Sequence, residues 1–461
     1  MSTQTRSGFY KKMLTLAIPI ALQQLLTSCA QLIDTAMVVG LGNVSTAAIG
    51  VAGRWGFLIN LALFGISSGV ATLTAQHWGV KDLKNIRKAY GTGLVLAIAV
   101  GLIYTVCTFT IPNQMMMVFN NEPDVIEAGA QYLRNVSPYG LFLAVSLITS
   151  TTMRSTEDVN TPLICSFAAV LTNTVLNYIL INGKLGLPAL GLKGAAIATA
   201  TSMALQAMLL VIIGLIKKGI LRAKISEFFD LEREFFKKFL RVCLPVMFNE
   251  LLWGLGTNVY AMVYARQGSE NYAAYTIFNS IEQIAFVFFV GICHACSIMV
   301  GKSVGAGRQK EAYNMGKRFV LLVPLLGVFA GVLLIAFRYP LLSLLPIETE
   351  GARQMTATLI LIYSLWIGVR NIPYVCIVGI FRAGGDTKIG MYYDLFSLFV
   401  LSIPIVVYLG FFTDVPFWAL LVAMYLAEDT VKAILCLHRF KSRRWIKQLT
   451  FAGDNPAEES Q

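Results

Sequence analysis

Asp34 is the only acidic or basic residue between Met13 and Gly40, in a run that is otherwise apolar or uncharged. At about 1.5 Å rise per residue that run makes a helix of roughly 40 Å, enough to cross a bilayer. A carboxylate at membrane depth costs at least about 2.5 kcal/mol unless it meets protein, water or an ion. The chemistry it offers is reversible binding of a proton or a cation. Pro19 lies on the same helix, where it removes a backbone bond to the Thr15 carbonyl and permits a kink. Ion binding and bending can therefore act on one element. A polar residue that merely packs helices together is the plainer alternative.

Three uncharged polar residues fall at a similar depth. Asn177 and Asn173 share a face of the fifth apolar run at i, i+4, and Thr199 lies in the sixth. Counting along the helices puts all four residues within roughly 8–14 Å of one membrane boundary. An acid, two amides and a hydroxyl at matched depth suit a proton-responsive hydrogen-bond network, although each amide or hydroxyl alone would serve equally well as a bridge between helices.

In the second half Glu250, Glu282, Arg370, Asn371, Glu428, Asp429 and Lys432 fall within apolar runs. Glu428 and Lys432 are i, i+4 and can satisfy one another. Glu250 and Arg370 count to about 12 and 17 Å from the opposite boundary, a gap that long side chains can close. A structural ion pair between them is expected, with a second ion or substrate site as the sharper alternative, and Trp253 is one turn from Glu250. Cys293 and Cys296 have metal-motif spacing but no second ligand pair, and the eight cysteines all fall in apolar runs as reduced core residues. No HExxH, GxSxG or P-loop pattern occurs, so neither an enzyme, a cofactor nor a nucleotide-driven pump is expected.

These residues need a membrane scaffold, and the composition supplies one. Of the 461 residues, 56% are hydrophobic and 13% charged, with mean hydropathy +0.67, where soluble proteins carry about 25% charge. Apolar runs at 13–40, 55–77, 91–112, 131–153, 162–182, 194–216, 242–265, 272–300, 319–337, 356–381, 391–412 and 417–439 predict twelve transmembrane helices. Of the 37 lysines and arginines, 28 fall on the face that holds both termini and 7 on the other. By the positive-inside rule both termini are cytoplasmic, in a multi-pass protein of the cell inner membrane. The net charge of +12 is thus a topology signal and implies no nucleic-acid partner.

The halves repeat. An offset of 226 takes Pro19 to Pro245, Gln24 to Glu250, Gly42 to Gly268 and Gly79 to Gly305; an offset of 228 takes Arg154 and Asp158 to Arg382 and Asp386. Six helices separate the copies, so they run parallel. The fold class expected is an all-α polytopic membrane protein of twelve transmembrane helices in two pseudo-symmetric six-helix lobes, related by an axis along the membrane normal. The lobes span 1–216 and 242–440, with a cytoplasmic linker at 217–241, where Phe228, Phe229, Phe235 and Phe236 suit an amphipathic interfacial helix, and a cytoplasmic tail at 441–461.

This layout, over about residues 10–445, resembles the multidrug and toxic compound extrusion (MATE) family and its DinF-like branch. The resemblance rests on the Pro19 to Asp34 spacing, the Asn173-xxx-Asn177 pair, Gly194-Ala-Ala-Ile-Ala-Thr199 and Phe381-Arg-Ala-Gly-Gly-Asp386. It implies a cation-coupled antiporter, a monomer, expelling cationic aromatic drugs, with Asp34 as the coupling acid, Asn173, Asn177 and Thr199 around it, and Pro19 as the bend point. Some relatives carry a second carboxylate where Asn177 stands. Relatives of the NorM type place sodium-binding acids in the seventh and tenth helices, where this chain has Glu250 and Arg370-Asn371. The arginine argues for protons over sodium. A lipid-linked oligosaccharide flippase of the wider superfamily is the other alternative; its pyrophosphate cargo would call for more buried bases than Arg370 and Lys432.

Overall fold

A computed structural model describes residues 6–450 apart from 218–219, 229–231, 346 and 348, and its elements are all helices. In chain order the spans are α1 (Arg6–Val39), α2 (Asn43–Gly79), α3 (Leu83–Thr110), α4 (Tyr139–Ser155), α5 (Asn160–Asn182), α6 (Gly191–Ile216), α7 (Arg233–Ala265), α8 (Ser269–Gly305), α9 (Gln309–Ser343), α10 (Glu350–Phe381), α11 (Thr387–Phe412) and α12 (417–441). Each overlaps one of the twelve expected runs, and the chain is a multi-pass membrane protein. Ten spans are long and apolar enough to cross a bilayer by themselves. The α12 span adds Glu428, Asp429 and Lys432 to its apolar length.

The fourth span differs from the single helix expected. Pro123–Val136 meets α4 at 50°. Pro138 stands at the break, where it has no N–H to donate and crowds the preceding turn. The linker differs too: α7 begins at Arg233 and takes in the buried Phe235 and Phe239, which leaves only the short helix Ile225–Phe228 before it. Phe229 and residues 451–461 of the tail lie outside the described residues. Cys29 is exposed and not in a core.

The repeat is visible in the helix boundaries. Both α2 and α8 have 37 residues, and they begin 226 residues apart, as do α3 and α9. Gly42 and Gly268 precede α2 and α8 with φ of 99° and 102°, a left-handed region that a side chain resists.

Two compact units form, and the chain passes between them inside helices: between Ala21 and Leu22 in α1, and between Met247 and Phe248 in α7. Close approach explains why each unit takes the first part of a helix from the other half. A side chain at Gly65 would strike Met247 and one at Gly69 would strike Cys243, whereas one at Gly291 would strike Ala17 and Ala21. Small residues let these backbones touch. The second half alone, among the described residues, contains π-helical turns, at Val375–Phe381, Phe396–Ser402 and Tyr425–Thr430. Such turns re-aim side chains and recur at functional sites.

Candidate functional site

The unit spanning Leu22–Met247 brings Asp34 and Asn177 together. Asp34 is five residues from the end of α1 and Asn177 five from the end of α5. The Asn177 Nδ2 donates to Asp34 Oδ1 at 2.5 Å and lies 3.4 Å from Asn173 Oδ1. Both amides are buried and Asp34 is half-buried. Thr199 sits apart from the carboxyl: its hydroxyl donates to the Ala195 carbonyl at 3.0 Å, and it neighbours Tyr132. Tyr132 and Tyr139, neither singled out by the sequence, lie within electrostatic reach of Asp34.

Asp34 makes no ion pair among the described residues. The Asn177 Oδ1 is buried with no hydrogen-bond partner. That arrangement can hold the carboxyl in two states. Ionised, Asp34 accepts from the amide N–H; protonated, it can donate its own O–H to an amide oxygen. No group of three or more His, Cys, Asp or Glu side chains that could hold a metal ion occurs among the described residues. Pro19 lies in α1, which continues as helix through it, two residues before the passage between units.

Beneath Asp34 the same unit is braced by two neutral bonds and one from a guanidinium. Ser166 Oγ accepts from Gln23 Nε2 at 2.8 Å and from Gln206 Nε2 at 3.0 Å, and Arg154 Nη1 reaches Gln23 Oε1 at 3.5 Å.

The other unit carries charge throughout. The expected pair of Glu250 with Arg370 does not form. Arg382, read from sequence as a residue of the join after α10, reaches Glu250 Oε1 at 2.6 Å, and Arg370 instead bonds Glu282 at 2.7 Å, with Asp429 3.9 Å away. Arg382 sits one residue past the end of α10, and its long side chain extends back to the acid. Asn371 is fully buried and donates to the Ile367 carbonyl of its own helix at 2.8 Å. The Glu428 and Lys432 pair does form, at 3.0 Å, inside a larger group. Lys432 also bonds Asp394 at 2.5 Å, Asn249 donates to Asp394 at 2.9 Å, and the Tyr260 hydroxyl bonds Glu428 at 2.8 Å and Ser402 at 2.6 Å. Asp394 escaped the sequence reading, although it stands 228 residues after Ser166 and so held a signal in the repeat.

Comparison with known proteins follows the same two halves. The MatE family model matches residues 19–179 and 245–408. A probable multidrug resistance protein NorM from Thermotoga maritima is 22% identical over 457 residues, covering 97% of this chain and 96% of its own length. A MATE crystal structure in a bent conformation superposes with a TM-score of 0.86 at 17% identity, covering 95% of this chain and 96% of its own. A second in a straight conformation gives 0.85 at 17%, covering 94% and 96%.

Proposed function

The chain belongs to the MatE family, and on that premise we propose that it is a proton-coupled antiporter that expels cationic aromatic compounds, with Asp34 carrying the proton. The observation that carries this reading is the isolation of Asp34: a membrane-depth carboxylate that makes no ion pair among the described residues, held by an amide able to serve both its charged and its neutral form. Protonation removes the charge, changes which atom of Asn177 is bonded, and lets α1 bend at Pro19 so that bound drug leaves outward. Release of the proton inward resets the site. A gradient of one pH unit supplies about 1.4 kcal/mol, and each net charge crossing 100 mV about 2.3 kcal/mol more.

The bias of lysine and arginine toward one face supports cytoplasmic termini and a place in the cell inner membrane. The working lobes in this reading are 1–216 and 242–440, joined by the linker at 217–241. Ethidium transport into everted vesicles, the direction that corresponds to efflux from the cell, tests the coupling. It should follow an imposed pH gradient and ignore a sodium gradient at fixed pH. Efflux that follows sodium alone would replace the proton with sodium on the same oxygens.

A further inference from the structure

A cluster in the unit that holds Phe248 onward has no role in the proton carriage proposed for Asp34. The Arg370 guanidinium on α10 is bonded to Glu282 of α8 at 2.7 Å and lies 3.9 Å from Asp429 of α12. It also lies over two aromatic rings, 5.4 Å from the centroid of Tyr425 and 6.0 Å from that of Tyr363. Trp366 stacks on Tyr425 with centroids 6.4 Å apart. Tyr363, Trp366 and Arg370 share one face of α10 by their spacing of three and four. Tyr425 and Asp429 come from the π-helical turn of α12.

Two features are unexplained by a structural ion pair. The Tyr363 and Tyr425 hydroxyls and the Trp366 indole N–H are buried without a hydrogen-bond partner, although buried polar groups are normally satisfied. Both side chains bearing those hydroxyls are at least nine-tenths buried, and the hydroxyls lie within electrostatic reach of Glu282, Arg370 and Asp429. The charge is also unbalanced, since two carboxylates face one guanidinium. A cation held on carboxylates and over aromatic faces is how proteins recognise guanidinium and ammonium compounds. We propose that this cluster is a binding site for a guanidinium- or ammonium-bearing aromatic compound, and that Arg370 is a tethered occupant which the incoming cation displaces.

The exchange keeps the charge of the cluster unchanged, because one monocation replaces another between the same two acids. The side chain of Arg370 is 26% exposed and so is not fully enclosed by its neighbours, which leaves it room to swing aside. The unpartnered hydroxyls and indole N–H then bond polar atoms that Arg370 itself does not offer. A tethered competitor weakens binding, which a carrier needs if its cargo is to leave. The proposal rests on the reading that organic cations are exported, but its test needs no gradient.

The purified full-length protein in detergent at fixed neutral pH is titrated with methylguanidinium and with ethidium, and binding is read from the melting temperature and from tryptophan fluorescence. Arg370→Ala should bind both probes at least about tenfold tighter than the wild-type chain, the competitor being gone. Adding Glu282→Gln and Asp429→Asn should erase the gain. If Arg370→Ala does not fold, Arg370→Lys, which covers the rings less well, should show a smaller gain of the same sign. Equal affinities in wild type and folded variant, or a gain that survives neutralising both acids, would overturn the site. Failure of proton coupling appears only in flux and leaves these ratios untouched.

Discussion

Gln23, Ser166 and Gln206 in the first half occupy the repeat positions of Asn249, Asp394 and Lys432 in the second, at offsets of 226, 228 and 226. The same three helices are joined at the same places, by neutral bonds in one copy and by an amide, a carboxylate and an ammonium in the other. Arg154 and Arg382 extend the parallel: one reaches an amide oxygen, the other a carboxylate. At the position of Asp34 the second half has Tyr260, which bonds Glu428 and Ser402. In the second half a proton added to Glu250, Glu428 or Asp394 would weaken a bond to a buried base, and that is costly. In the first half a proton on Asp34 breaks no ion pair among the described residues. The first copy therefore leaves Asp34 free to titrate, whereas the second ties Glu250, Glu428 and Asp394 to buried bases.

The largest effect that would break this contrast is at Asp34. Asp34→Asn should reduce gradient-driven ethidium efflux to background at normal membrane abundance, while Tyr260→Phe at the matching position keeps most of it. Efflux assays on both variants at equal abundance decide this. If the Asn form still transports with proton dependence, the coupling group is elsewhere.

Next in size is the buried ion pair. Arg382→Met, which leaves Glu250 unpaired, should destabilise the protein by about 3–5 kcal/mol. Combining it with Glu250→Leu should recover most of the loss, since neither charge then stands alone. Survival of the monodisperse peak after heating gives the order of the three variants, and additive losses would show that the pair is not coupled. The matching first-half change, Gln24→Leu, lies at an exposed position and should cost within about 0.5 kcal/mol.

A kinetic difference should follow between the two helix prolines. Pro19→Ala restores a helix bond to the Thr15 carbonyl in the helix that carries Asp34 and should slow efflux several-fold without unfolding the protein. Pro245→Ala should slow it less, because α7 carries Tyr260 and not an acid at the position of Asp34. Initial rates of transport into everted vesicles matched for abundance would show equal slowing if bending of α1 has no special role.

The smallest effect concerns the loops before α3 and α9. Asp82 caps α3, accepting from the Asn85 N–H at 3.1 Å and bonding His77 at 3.0 Å, whereas its repeat position is Arg308, which makes no side-chain cap. Burial pushes the Asp82 carboxyl up from 3.8, but the bonds from His77 and Asn85 prevail and hold it at about 2. The folded value is depressed, so its stabilisation is complete above about pH 4 and is lost as pH falls through 2. Asp82→Ala should cost about 1 kcal/mol at neutral pH. Arg308→Ala should cost only a few tenths, the worth of an exposed pair with Glu311. Melting temperatures at neutral pH and near pH 3 should show the Asp82 difference shrinking with acid.

Much of this was legible in the chain. Asp34, Asn173 and Asn177 stand out because polar residues are sparse in apolar runs and helical counting puts them at one depth. The partner of Glu250 was not legible in the same way. Depth counting favoured Arg370 because it measures backbone height, whereas Arg382 reaches its acid through a flexible side chain from beyond the end of α10. The π-helical turn at Val375–Phe381 also shifts the faces that a regular helix would present after Arg370. Asp394 was hidden for another reason: it follows Met-Tyr-Tyr in a stretch that reads as a helix start, and only alignment with Ser166 reveals its place. The exchange of helix segments between units had a trace in Gly65 and Gly291, themselves 226 apart, but a glycine does not say which helix approaches it.

Proton release on drug binding tests the central contrast most directly. Purified protein in weakly buffered solution, held at the pH where Asp34 is half protonated, is mixed with saturating ethidium while a pH dye reports released protons. The wild-type chain should release up to one proton per drug bound and Asp34→Asn none, with Tyr260→Phe behaving as wild type. Undiminished release from Asp34→Asn, with drug still bound, would place the titrating group among the second-half carboxylates and contradict the account.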